Sequence, residues 1–476
     1  MNKKRSLVLI AVMSLFLAAC ESAEDRYGED GRKDFTRLNG SLTFTYRNYD
    51  GTVLANKSFF FREKEYFGEI YEGIPFREST QDKFYSFDGW TIVSDVITEL
   101  KNVYNRYEIE KVFKKEGEED RYDRHKYRVA NIDVYAHYAE YDLDDLFTYV
   151  RGEDDVYGIM AKSSFDLMEF TVPSSYNGGT VKSLLPKSFS NLSRLEKITI
   201  PNSVDVIGDS SFENDESLRQ VTLGNLTDHI GTKAFYGCSS LETIDLPATI
   251  STLSSKAFAS SGLKNVDLSG LSIGSLSSSL FEGCKDLAQV TLNSSLEKIE
   301  AAAFGSCSAL TSITVPENVK DLGENAFRAC SALKKVELKS NSTQIRSNCF
   351  INASTEEFII KKGSNVSIEA NAFEGNKSLT KIETENAAIL TLSGNAFKNC
   401  TALKSIILPS ATVIGGKGVF AGCSKDLNVY FEGSTLSGFP NGYNDGFEGT
   451  FYVYSENEPT GFGNFWHYVN GAPVAW

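Results

Sequence analysis

Between Leu184 and Gly433 the chain repeats itself. Eleven phenylalanines, Phe189, Phe212, Phe235, Phe258, Phe281, Phe304, Phe327, Phe350, Phe373, Phe397 and Phe420, follow one another at steps of 23 residues, with a single step of 24. Clear copies read IGTKAFYGCSSLETIDLPATIST from Ile230, IEAAAFGSCSALTSITVPENVKD from Ile299 and LSGNAFKNCTALKSIILPSATV from Leu392. In each copy a segment such as Leu241, Ile244 and Leu246 alternates at its end like a short strand with one buried face. A Pro, Gly, Ser or Asn then ends it. An Ile, Leu or Val follows, often with a Gly three or four residues before the motif Phe, and closes the unit on the opposite side. One unit cannot bury both its strand face and its Phe, so it is stable only when its neighbours cover it.

A period of about 20 to 29 residues with leucine-type positions inside it is the signature of a leucine-rich-repeat solenoid. The expected fold is mainly β: a solenoid of about eleven coils of 23 residues with a parallel sheet, preceded by a small β-rich α+β domain. About ten stacked strands at roughly 4.8 Å spacing would make one parallel sheet roughly 50 Å long. The phenylalanines should form a continuous interior column. The chain length of 476 residues is more than one ordinary core organises, and a repeat array resolves that.

At these residues the chain resembles the BspA-type leucine-rich repeats of bacterial surface proteins, whose unit looks like Ala-Phe-x-x-Cys-x-x-Leu-x-x-Ile-x-Leu-Pro followed by a hydrophobic-Gly pair. The resemblance covers Tyr157 to Trp476. FTVPSSYNGGTVKSL, Phe170 to Leu184, is similar to the family's opening half-repeat, and YSENEPTGFGNFWHYVNGAPVAW, Tyr454 to Trp476, to a closing segment. The resemblance implies cell-surface interaction or adhesion with no shared catalytic chemistry, and it does not fix the partner.

The N-terminus carries a separate signal. Lys3, Lys4 and Arg5 precede an apolar run from Leu7 to Leu17, too short for a membrane-spanning helix of about 20 residues, so residues 1–19 read as a secretory signal. The ending Leu17-Ala18-Ala19-Cys20 resembles the bacterial lipobox, which implies cleavage after Ala19 and acylation of Cys20; an ordinary signal peptide with an incidental Cys is the competing reading. Several acyl chains anchor firmly where one gives marginal binding. Residues 20–37 are charged and poor in apolar side chains, as a flexible tether would be.

Residues 38–156 lack the 23-residue period and are rich in Tyr, Phe and charge. Alternation in Ser41 to Tyr46, the pair Asp50-Gly51 and the run Lys57 to Phe61 predict a hairpin. A second strand pair is expected around Asp88-Gly89, a helix from Ser94 with Val96, Leu100, Val103 and Tyr107 on one face, and strand from Lys126 to Tyr138. Residues 157–432 are then the solenoid and 433–476 a cap, with Phe462, Phe465, Trp466, Tyr468 and Trp476 available to cover the last open edge.

A net charge of −15 and the absence of a basic stripe exclude nucleic acid as a natural partner. The acidic cluster Glu140, Asp142, Asp144, Asp145, Glu153, Asp154 and Asp155 offers the oxygen ligands of a calcium site but lacks EF-hand spacing; a solvated acidic linker is the alternative. His125, His137, His229 and His467 stand at no zinc-type interval, so no metal or cofactor is expected. Cys238, Cys284, Cys307, Cys330, Cys400 and Cys423 each follow a motif Phe by three residues, a position where a small apolar side chain fits a tight turn. Neighbouring coils could bring Cys284, Cys307 and Cys330 within Cα reach of a disulfide, but parallel Cβ vectors favour free buried thiols. Cys349 stands outside this position.

One row of outward residues remains on the strand face: Thr199, Thr222, Asp245, Asp267, Thr291, Thr314, Glu337, Ile359, Glu383, Ile407 and Tyr430. Repeat proteins bind along such rows. Equally, these side chains could serve only to keep a sheet soluble. Thr222, Asp245, Asp267, Thr291, Thr314 and Glu337 are the candidate binding residues, for an extracellular protein or glycan. The leading expectation is a bacterial envelope lipoprotein, exposed outside the cytoplasm, whose solenoid is a binding scaffold with no enzymatic activity. Small-ligand binding or enzymatic activity in residues 38–156, and a passive envelope component, are the alternatives.

Overall fold

A computed structural model describes residues 40–48, 50–62, 65–67, 70, 83–94, 100, 103–105, 118–119, 128–460 and 462–476. Residues 1–37, with the signal segment, Cys20 and the tether, lie outside the described residues, as do His125 and Val96. The chain divides into two compact units: among the described residues the first ends at Ala139, and the second takes residues 83–86 together with Glu140 onward. Among the described residues no helix is long and apolar enough to cross a membrane.

In the first unit Gly40–Arg47 and Val53–Arg62 form the expected antiparallel hairpin, with Gly51 at φ 84° and the Asp50 carboxylate accepting the Thr52 N–H at 2.9 Å. Gly40–Arg47 also pairs in parallel with Arg128–Asp142. Alternation puts Leu42, Phe44, Tyr46, Ile132 and Val134 on one buried face with Phe59. Two sequence expectations are corrected here. Asp88 and Gly89 lie inside a single strand, Lys83–Ile92, because its pairing partner is Arg128–Asp142 rather than its own other half. Val103 opens the strand Val103–Asn105, paired antiparallel with Glu65–Phe67, so cross-strand pairing overrides the helical spacing that had placed Val103 on a helix.

The second unit is the solenoid. All eleven motif phenylalanines are at most 1% exposed. Each ring stacks on the next, with centroids 5.0 to 5.7 Å apart and planes within 2 to 16°. Local backbone geometry points each ring inward. Residues two before and two after the Phe are left-handed, as at Lys233 (φ 57°) and Gly237 (φ 75°) around Phe235, or Asn395 (φ 57°) and Asn399 (φ 60°) around Phe397. Gly and Asn are frequent there because they adopt that region at least cost. The Phe N–H then bonds the next coil, as Phe235 donates to Ala257 O at 2.7 Å and Phe304 to Ala326 O at 2.8 Å.

Two sheets flank this column. The sheet on the far side of the coil is nearly continuous: its strands run from Phe147–Arg151 to Thr252–Leu253 and again from Ser275–Leu276 to Thr412–Ile414. The strand-face sheet, expected as one parallel sheet, is instead four segments of 3, 2, 4 and 5 strands. Two of the interruptions coincide with irregular repeats. Leu263 follows Phe258 by five residues where Leu241 follows Phe235 by six, and Gly262 closes the shortened turn against the Ser239 backbone, where a Cβ would collide. The single 24-residue step spans Phe373 to Phe397, and its coil contains a one-turn 3-10 helix, Thr384–Asn386.

The ends of the column differ from its middle. Phe189 meets Phe147, Phe165 and Phe170 at tilted or edge-on angles, and Phe420 meets Phe447 and Phe451 in the same way. The compact unit thus opens at Glu140 rather than at Tyr157, because Leu143, Leu146 and Phe147 are buried in its core. The acidic run from Glu140 to Asp155 is accordingly ordered structure, not a linker. Of the five C-terminal aromatic residues expected to cover the last edge, Trp466 is fully buried, with its Nε1–H donating to Phe431 O at 2.9 Å, whereas Phe462, Tyr468 and Trp476 are exposed.

Phe304 sits between Phe281 and Phe327 at 5.6 and 5.3 Å. Phe304→Ala is expected to destabilise the solenoid by about 3 to 5 kcal/mol, and Phe304→Leu by clearly less, read from urea unfolding of the full chain.

Candidate binding face

The strand face presents its outward row one residue per coil. Thr199, Thr222, Asp245, Asp267, Thr291 and Thr314 are exposed, and Glu337, Ile359, Glu383 and Ile407 are half-buried. Tyr430 is covered, stacking on Tyr452 at 5.2 Å beneath Trp466. Register sets Asp267 beside Thr291, and Thr314 beside Glu337. The Asp267 carboxylate accepts the Ser269 N–H at 2.9 Å, which holds it below the usual carboxylate range. Alongside the row, charges alternate from coil to coil: Lys197 with Glu169 (2.6 Å), Lys264 with Glu242 (2.6 Å), Lys334 with Glu356 (3.3 Å).

The row is not uniform. After Gln220–Thr222 the next coil, Leu241–Pro247, forms no strand, and between the two lies a half-open cleft of about 350 Å³. It is lined by Gln220, Thr222, Asn225, Thr243 and Asp245 with Leu223, Ile244, Leu246 and Pro247. Of the six candidate binding residues, Thr222 and Asp245 border this cleft and the other four stand outside it. Sequence alone does not reveal it, since Leu218, Val221 and Leu223 recur one step later as Leu241, Ile244 and Leu246.

The repeated cysteine position has a specific role. Cys238, Cys284, Cys307, Cys330, Cys400 and Cys423 are free, buried, and each donates its thiol to the carbonyl of the preceding coil's Phe at 3.0 to 3.2 Å. Burial pushes Cys284 and Cys423 up to about 11 and Cys330 up to about 12. Cys349 occupies the site just before Phe350, filled by Ala234, Ala257 and Ala303 in other coils. Asp215 holds the thiol's position in the second coil. It is buried and pushed up to about 8 by that burial, with the Leu192 N–H donating to its Oδ1 at 2.7 Å as a partial offset.

The acidic cluster does not converge. Asp144 accepts the Tyr176 hydroxyl at 2.7 Å, Asp155 pairs with Arg151, and Asp154 and Asp155 sit in a left-handed turn. Among the described residues no group of His, Cys, Asp and Glu could hold a metal ion. His467 stacks on Trp476 at 3.8 Å.

A coil that repeats a buried Phe between two parallel sheets defines a leucine-rich-repeat β-solenoid. The family model described as BspA type leucine rich repeat region matches six copies over residues 162–273, 269–367 and 354–440, and the chain belongs to that family. Similar solved structures include a leucine-rich repeat protein from Bacteroides ovatus, 21% identical over 65% of this chain and 98% of that one, TM-score 0.39. A leucine rich cell surface protein from Faecalibacterium prausnitzii is 23% identical over 65% and 93%, TM-score 0.42. The pneumococcal vaccine antigen PcpA is 19% identical over 65% and 92%, TM-score 0.37. No curated protein matches.

Two outcomes follow from the buried polar position. Native Asp215 stays protonated to about pH 8, whereas in the unfolded chain it ionises near pH 4. Unfolding therefore releases a proton between those values, and stability falls as pH rises through that window. Asp215→Asn should match the parent melting temperature near pH 4 and exceed it increasingly up to pH 8, by calorimetry. Alkylation without reductant should leave the seven described cysteines unlabelled in the native chain and label all seven after denaturation, by peptide mass spectrometry.

Proposed function

We propose that this protein is a bacterial lipoprotein, held to the envelope by acyl chains on Cys20 and exposed outside the cytoplasm, whose strand face binds an extracellular protein or glycan in adhesion. On this reading it works by binding and carries no catalytic centre or cofactor. The observation that carries the reading is the row of exposed polar residues, Thr222, Asp245, Asp267, Thr291 and Thr314, offered one per coil by a rigid core. A surface already ordered by its fold loses little freedom on binding, which favours recognition along the solenoid. The lipobox-like Leu17-Ala18-Ala19-Cys20 supports the anchor, and family membership supports surface display.

Cys20→Ala should move the protein from the membrane fraction to the soluble fraction, and mass spectrometry of the parent N-terminal peptide should find diacylglyceryl-modified Cys20. An unmodified Cys20 peptide from membrane-bound protein would reject the anchor. Against a panel of host-matrix and cell-surface ligands, the full chain should retain a partner that the triple change Thr222→Arg, Thr291→Arg, Thr314→Arg releases. A partner held equally by both would place the interface elsewhere.

A further inference from the structure

The cleft beside Gln220–Thr222 differs from the rest of the strand face in its backbone. Thr243, Ile244, Asp245 and Leu246 lie in a segment outside any strand, and among the described residues their N–H and C=O groups make no hydrogen bond. Polar backbone left without a partner beside open space is a ready hydrogen-bonding surface for whatever enters.

The side chains select the visitor. Asp245 is exposed and, among the described residues, has neither a hydrogen bond nor an ion pair, whereas nearby Glu242 is paired with Lys264 and Glu196 with Arg219. Thr222, Thr243, Asn225 and Gln220 add oxygen acceptors at the lip. Half-buried Leu223, Leu246 and Pro247, with Ile244 beneath, supply apolar wall. Among the described residues no cationic side chain and no aromatic ring lines the cleft. An anion would meet Asp245 with nothing to neutralise it, and a sugar ring would find no face to stack on. A side chain with an apolar stem and a cationic head matches both parts.

Resting on the binding reading above, we infer that this cleft is a subsite for a basic side chain, arginine or lysine, projecting from a protein partner. The stem packs on Leu223 and Leu246, and the head is held by the Asp245 carboxylate and the free carbonyls of its coil.

The test uses saturation-transfer NMR on the full chain with N-acetyl-arginine amide and N-acetyl-lysine amide, against N-acetyl-glutamate amide and methyl glucoside. Both basic probes should receive saturation at their methylene protons. Binding should weaken at least fivefold in Asp245→Asn and on raising salt from about 50 to about 500 mM, and be unchanged in Glu317→Gln, which removes an exposed carboxylate outside the cleft. Equal binding to Asp245→Asn, or preference for the glutamate or glucoside probe, would overturn the assignment. Failure here leaves the wider reading separately testable: a partner from the ligand panel that is lost in the triple-arginine variant but kept by Asp245→Asn would retain the scaffold and reject the subsite.

Discussion

The structure depends on one contact repeated ten times: a phenylalanine ring lying flat on the ring of the coil before it. Spacing near 5 Å matches the separation of neighbouring strands in a parallel sheet, so the rings and the two sheets can advance together along one axis. Each Phe is bracketed by two left-handed residues that turn the chain sharply enough to aim the ring inward. Stability in such an array is a sum over neighbours, so the column resists fraying only while its ends are closed. Phe147, Phe165 and Phe170 close one end, and Phe447 and Phe451 the other, in tilted packing that offers no flat face for another ring.

With the core continuous, the surface sheets have latitude. The shortened turn at Gly262 and the lengthened coil at Thr384–Asn386 interrupt the strand-face ladder without disturbing the stack, where Phe258 to Phe281 and Phe373 to Phe397 remain 5.7 and 5.4 Å apart. The coil at Leu241–Pro247 goes further: its repeat length is regular, yet it forms no ladder and opens the cleft at Asp245.

The position three residues after each Phe shows how a solenoid handles a polar group in its interior. A carbonyl of the preceding coil points into the turn, and a thiol is small enough to fit and polar enough to donate to it. Ser261 fills the same position with a hydroxyl, whose Oγ lies 3.4 Å from the Cys284 Sγ of the next coil. Asp215 fills the position with a carboxyl that burial pushes up to about 8, so that coil is sensitive to pH below the range in which the buried thiols titrate.

Much was legible from the sequence because each coil's neighbour is a near copy of itself. The 23-residue step alone determined the solenoid, the buried Phe column and the outward row from Thr199 to Thr314, since a side chain's place in the unit fixes what it meets in the next. The Asp50-Gly51 hairpin was legible for a local reason, the turn chemistry of two residues. Only the tertiary structure decided the four-part strand-face sheet, the cleft beside Thr222 and Asp245, the opening at Glu140, and the strands at Gly89 and Val103. The strand pairings and the cleft turn on whether backbone groups from distant parts of the chain approach within hydrogen-bond distance, which residue type does not fix; in the sequence only the short spacing at Leu263 and the 24-residue step mark two of the sheet's interruptions.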